Sequence, residues 1–242
     1  GHWRIQTDDA RTADEHGAQL TQLLELESLA PEQLDAAIMS CVVPPMESAM
    51  VEMAESYLSL EMQVVGRDLH PTMPVRIDHP EEAGADRIVN AEAAWAEHQS
   101  ALIIVDFGTA TTFDAITSDG AYAGGAISPG ITVSSEALFR SASKLPRVDL
   151  DRPESVIGKN TVESIQSGLM FGYVGLVGEV VRRMRTELVD GAKDVPSGVP
   201  RVIATGGYAR KLGAEIDVID DVDPHLTLKG LHLLFRRNAG EA

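Results

Sequence analysis

Four short stretches of this 242-residue chain hold residue types that chemistry can use. In "VDFGTATT", residues 105–112, an apolar run ends in Asp106, and Gly108, Thr109 and two more threonines follow. A carboxylate at a strand end holds a cation or a water, while glycine and small hydroxylated residues let backbone N–H groups approach an anion. Phosphate handling asks for both together; a tight hairpin whose aspartate only caps the turn is the plainer alternative. In "GADR", residues 84–87, Gly84 frees the backbone just before an acid and a base at a helix start. Asp86 can take a proton from a substrate hydroxyl while Arg87 holds an anionic group, or the acid can simply complement the helix dipole. In "ATGGYA", residues 204–209, a strand ends in Gly206 and Gly207, which offer bare backbone to an adenine or a phosphate unless they only make a turn. Thr161, at the head of a long helical pattern, is either a ligand contact or a cap.

The elements that must position these residues are readable around them. Over 11–29, leucines at helical spacing follow a Thr with Glu three residues later, the pattern of a capping box and an amphipathic helix. "AAIMSCVVPP" predicts a buried strand stopped by two prolines, followed by a helix over "MESAMVEMAESYL" and a short strand at 62–65. A Pro-rich loop then delivers Asp86 and Arg87 to the start of a helix over "DRIVNAEAAWAEH". Residues 101–127 hold three strand-like runs, with "SDG" as a tight turn between the last two, which predicts an antiparallel meander. "SPG" punctuates at 128–130. A long helix over about 162–188 is opened by "NT" and carries Gly168, Gly172, Gly175 and Gly178 at spacings of three or four, so another backbone can come close to it. A strand, glycine turn and helix over "RVIATGGYARKLG" and a last helix over "HLTLKGLHLLFRRN" complete an alternating α/β rhythm.

Composition narrows the partners. With 37 Asp and Glu against 20 Lys and Arg the formal charge is −17, so the chain is not expected to grip nucleic acid or an anionic membrane surface. One cysteine, Cys41, excludes an intramolecular disulfide and fits a reducing cytoplasm. The seven histidines show no i,i+4 pair and no partner cysteines, so they do not read as a metal site. "SGLMFGYVGLVG", 167–178, is too short to span a bilayer and runs into Glu179 and two arginines.

Taken in order, "WRIQTDDARTADEHG", "GADRIVNA", "VDFGTATTFDAI", "GGAISPGI", "ALFRSASKLP", "IGKNTVESIQSG", "ATGGYA" and "LTLKGL" resemble the type III pantothenate kinases, and the match runs over nearly the whole chain. The resemblance implies an α/β protein of two RNase H-like domains, of the actin and acetate-and-sugar-kinase type, with a cleft between them. The N-terminal domain would take residues 1–98 and the C-terminal one 99–242. It further implies ATP-dependent phosphorylation of pantothenate to 4′-phosphopantothenate, the first step of coenzyme A biosynthesis, in a cytoplasmic homodimer. Carried over by position, Asp86 is similar to the general base, and Gly84, Ala85, Arg87 and Thr161 to residues that bind pantothenate. Gly108, Thr109, Gly206 and Gly207 are similar to nucleotide contacts, and Asp106 to the residue that holds a monovalent cation, potassium or ammonium. Magnesium would arrive with ATP.

Two departures from the family pattern stand beside these expectations. Family members begin with a strand and a DxGNT phosphate loop ahead of the segment matched by "HWRI", and the sequence opens without Met at "GHWRIQTDD". The expectation is that an N-terminal segment is missing and that this chain without it does not turn ATP over; a non-catalytic dimeric binding or regulatory protein on the same fold is the alternative. Ile77 stands where the pantothenate pocket is expected to have an aromatic residue, commonly Tyr.

Overall fold

Thr12 opens the first helix through the capping box its sequence predicts: Glu15 N–H donates to its hydroxyl, and its own N–H donates to the Glu15 carboxylate at 2.9 Å. This helix, α1 (Ala13–Leu26), packs on α2 (Pro44–Met53) and on the π-helical turn Ala54–Leu58 that continues it. The computed structural model describes residues 1–191 and 198–240, in two compact units.

The first unit comprises Gly1–Thr72, Glu81–Val89 and Lys229–Ala242. Its two strands, β1 (Ala37–Met39) and β2 (Met62–Val64), pair in parallel. Pro44 and Pro45 do not merely stop the strand. They form the first turn of α2, where the missing N–H has no intrahelical partner to lose. Ala13, Leu24, Met53, Ala54, Leu58, Met62 and Val64 make one core, and Gly17 lets the Tyr57 ring lie directly on α1, where its hydroxyl donates to Asp14 at 2.8 Å. A second small core joins Val65 and Val89 to Leu234.

The second unit, Met73–Pro80 and Asn90–Leu228, is built on a five-stranded sheet in the order β5-β4-β3-β6-β7. β3 (Leu102–Phe107), β4 (Ala110–Ile116) and β5 (Tyr122–Pro129) form the expected antiparallel meander. β6 (Arg201–Gly206) runs parallel to β3, and β7 (Asp221–Val222) parallel to β6. A meander followed by two strands parallel to its first member is the RNase H-like topology. Gly120 supplies the positive φ, 83°, at the β4–β5 turn.

Period-two alternation divides the sheet faces. Ile103, Val105 and Phe107 point into a core with Phe113 of β4 and with Met170, Tyr173, Val177 and Val181 of the long helix α5 (Thr161–Gly191), closed by Ala209 and Leu212 of α6 (Ala209–Gly213). Asp106, between Val105 and Phe107, faces the other way. There Asn90 of α3 (Ala85–His98) reaches it. Thr161–Val189 is long and apolar enough to cross a membrane by length and composition, unlike the shorter stretch 167–178, and its Met170, Tyr173, Val177 and Val181 pack in the core against the sheet. α4 (Ile131–Ser141) and β7 were not foreseen: the proline and glycine of "SPG" read as a loop, but Gly130 is the N-cap of α4, and two residues are too few for a strand pattern. The last helix is α7 (Leu226–Asn238).

Candidate functional site

Asp106 stands one residue before the end of β3, opposite Thr112 of β4 and Thr205 of β6, so the three side chains share one face near the ends of these inner strands. Its Oδ2 accepts from Asn90 Nδ2 at 3.2 Å, and Asn90 Oδ1 accepts from Thr227 Oγ1 at 2.7 Å. Oδ1 lies against bare backbone. Gly206, with φ 92°, could carry no side chain, because a Cβ there would fall inside contact distance of this oxygen and of Phe107 N. A Cβ on Gly108 would come within 3.7 Å of the same oxygen.

The turn after β3 is fixed from its own ends. Gly108 N–H donates to Ala110 O at 3.0 Å and Gly130 N–H to Thr109 O at 2.9 Å, so Gly130 passes too close to the Gly108 and Thr109 carbonyls for any other residue. Behind it the Tyr173 hydroxyl of α5 donates to the Pro129 carbonyl and meets Thr111 Oγ1 at 3.1 Å, which ties α5 to β4 and to the end of β5. Thr112 donates to Asp114 at 3.2 Å, and this fully buried carboxylate also accepts from the Tyr122 hydroxyl at 2.8 Å. The Asp106 carboxylate, with the hydroxyl-bearing Thr112 and Thr205 as its cross-strand neighbours, offers hard oxygen donors of the kind that suits an alkali cation or a magnesium ion carried by phosphate. Gly206 and Gly207 carry the same strand end from β6 into the turn before α6, where Tyr208 N–H donates to Phe107 O. Thus Asp106, Gly108, Thr109, Gly206 and Gly207 gather at one end of adjoining strands.

Gly84, Ala85, Asp86 and Arg87 lie at the head of α3, in the first unit. Gly84 O accepts from Arg87 N–H at 3.0 Å and from Ile88 N–H at 3.2 Å, while Asp86 Oδ1 accepts from Arg87 N–H at 2.8 Å. A Cβ on Gly84 would sit 2.8 Å from that carboxylate oxygen, so glycine is needed there for Asp86 to hold this rotamer.

Thr161 begins α5 but does not cap it. Asn160 Oδ1 accepts from Glu163 N–H at 2.9 Å, and Glu163 accepts in return from Lys159 N–H at 2.7 Å. Relieved of the capping expected of "NT" as a pair, Thr161 lines a groove of about 580 Å³ with Leu138, Leu145, Lys159, Ser164 and Gly168. Ile77 packs on Gly124, whose φ is 99°, in a loop held along β5 by Tyr122 N–H to Pro74 O and Arg76 N–H to Tyr122 O, both 2.8 Å. Arg76 and Asp119 close this attachment at 2.7 Å, and the guanidinium together with the Thr117 hydroxyl holds the Asp119 carboxyl below its usual range.

Two side chains at the site escaped the sequence reading, Asn90 and Thr227. Both lie inside stretches singled out for other reasons, and Asn90 could have been found by its place four residues after Asp86, on the same face of one helix. Among the described residues no group of three or more His, Cys, Asp or Glu forms a metal cage.

A family model for type III pantothenate kinase matches residues 1–183. A curated type III pantothenate kinase of Geobacter sulfurreducens is 48% identical over 236 residues, 98% of this chain and 89% of that protein. One from Pelobacter propionicus is 49% identical over 237 residues, 98% of this chain and 90% of the relative. Among solved structures, a Campylobacter jejuni protein assigned to the Baf family of transcriptional activators superposes with a TM-score of 0.51 at 19% identity, over 70% of each chain, a likeness of fold.

Proposed function

We propose that this chain, which belongs to the type III pantothenate kinase family, transfers the γ-phosphoryl group of ATP to the primary hydroxyl of pantothenate, the step that opens coenzyme A biosynthesis. The observation that carries the reading is a match of nearly half the residues over 98% of the chain to curated enzymes of that name.

In the step, the pantothenate hydroxyl oxygen bonds to the γ-phosphorus as the bond to the bridging oxygen breaks, ADP leaves, and the hydroxyl proton passes to Asp86. Such transfers run through a loose, charge-spread transition state, so positioning and charge neutralisation are most of what a protein contributes. Asp86 is suited to orient the hydroxyl and receive its proton because Gly84 and the first turn of α3 fix its rotamer. Gly84, Ala85 and Arg87 line the pantothenate with it, Arg87 against the substrate's carboxylate, and Thr161 offers its hydroxyl from the head of α5. Gly108, Thr109, Gly206 and Gly207 form the nucleotide side, where small residues admit phosphates and adenosine to the backbone. Asp106 and the neighbouring threonine oxygens would hold a monovalent cation, potassium or ammonium, which neutralises developing phosphate charge when bound. Magnesium is held mainly by the nucleotide's own oxygens and water. We read the enzyme as a cytoplasmic homodimer without nucleic-acid or membrane partners.

The test is a coupled kinase assay of the natural full-length chain with pantothenate, MgATP and potassium. Wild type turns over, and Asp86→Asn, folded by circular dichroism, loses about 10²- to 10⁴-fold in kcat with ATP affinity retained. A folded wild type that is inert across wide ATP and pantothenate ranges would make a binding or regulatory role the better account.

A further inference from the structure

Two polar side chains of the quoted motifs have no part in the reaction as drawn so far: Asn90 in "GADRIVNA" and Thr227 in "LTLKGL". They lie 137 positions apart in sequence and join in one chain of hydrogen bonds, Thr227 Oγ1 to Asn90 Oδ1 at 2.7 Å and Asn90 Nδ2 to Asp106 Oδ2 at 3.2 Å. We propose that Thr227 and Asn90 are positioning residues, which fix the orientation of the Asp106 carboxylate and thereby set the affinity for the monovalent cation it holds. The inference rests on the reading of Asp106 given above.

The chemistry of the three groups dictates the direction of the relay. An ionised carboxylate only accepts, so the Asn90 side chain must turn its NH₂ toward Asp106. Its carbonyl oxygen then points away, and with Asn90 only 1% exposed that oxygen needs a donor from the protein. Thr227 is that donor. Its own place is set by the start of α7, where Asp223 N–H donates to Ala204 O at 2.8 Å and His225 N–H to the Asp223 carboxylate at 2.9 Å, so the relay is anchored to the strand beside Asp106. Without the Thr227 hydroxyl, the Asn90 carbonyl is buried unpaired or the amide rotates and turns its oxygen on the carboxylate. In either case Asn90 no longer steadies Asp106 Oδ2, and the orientation that sets Oδ1 against Gly206 and Gly108 is less sharply fixed for the cation.

Losing a hydrogen-bond partner behind a metal ligand typically costs about 10- to 100-fold in affinity or activity. Potassium is titrated into the natural full-length protein, with tetramethylammonium holding ionic strength constant, and followed in two ways. One is kcat in the coupled assay; the other is the thermal midpoint with ADP present and pantothenate absent. Thr227→Val, close in shape and lacking the donor, is expected to raise the half-saturating potassium about tenfold or more in both measurements, with the pantothenate KM within about twofold of wild type. Thr227→Ser restores the wild-type dependence. If Thr227→Val does not fold, Thr227→Cys, a weaker donor of similar size, is read the same way. A Thr227 variant that keeps wild-type potassium dependence while Asp106→Asn abolishes it makes the relay structural only and overturns the inference. Wild-type potassium dependence in Asp106→Asn instead overturns the reading of Asp106, and this inference with it.

Discussion

At the scale of single residues, the site is shaped as much by glycines as by carboxylates. Gly206 has a left-handed backbone, φ 92°, and its missing Cβ is the space that Asp106 Oδ1 occupies. Gly206→Ala therefore meets two penalties together, backbone strain and a displaced carboxylate. We expect a loss of about 1–3 kcal/mol in chemical denaturation and weaker ATP binding by calorimetry. Gly84 acts similarly toward Asp86, but with ordinary backbone, so Gly84→Ala should disturb the proposed base, Asp86, more than the fold: kcat falls while the denaturation midpoint stays near wild type. Asn90 and Thr227 belong to the same scale. Neither has a chemical role visible in its own neighbourhood of sequence, and both acquire one through the carboxylate they lead to.

Among the elements, α5 has the most to hold in place, because Tyr173 ties β4 and the end of β5 while Thr161 at its head faces a groove. Its start depends on Asn160, and Asn160→Ala is expected to cost about 1 kcal/mol by denaturation, with Thr161→Val costing less stability and more pantothenate affinity. Farther along, the guanidinium groups of Arg182 and Arg183 hold the Glu179 carboxyl down at about 2 from an ordinary 4.5. Because the folded pKa is the lower one, this cluster contributes fully above about pH 4.5 and is lost as the pH falls toward 2. All three side chains are largely exposed. Solvent screening thus keeps the contribution small, and Glu179→Gln should move the melting temperature at pH 7 by about a degree or less, with any difference from wild type vanishing near pH 2.

For the whole molecule, a formal charge of −17 means that the folded state works against its own repulsion. Raising sodium chloride from about 0.01 to 0.5 M shortens the Debye length from roughly 30 to 4 Å and should raise the melting temperature, a trend that scanning calorimetry would test. The same measurement with tetramethylammonium in place of sodium separates general screening from the cation binding proposed for Asp106. Sedimentation velocity is expected to give a dimer.

The features legible in the sequence alone are local ones. The Thr12–Glu15 capping box, the turn at Gly120, the meander of β3 to β5 and the helix that starts beside Asp86 all depend on residues a few positions apart, whose propensities and hydrogen bonds act before any distant contact forms. Resemblance to a family added roles for Asp86, Asp106 and the glycines, which spacing alone left open between chemistry and plain turns. Only tertiary structure decided that Thr227 reaches Asn90 and Asn90 reaches Asp106, that Gly206 must lack a Cβ because of a carboxylate 100 positions earlier, and that α4 follows Gly130. Hydrogen bonds and close packing between distant positions leave no periodic trace in a chain. They arise when β6 is laid beside β3 and α3 is brought against the sheet's polar face.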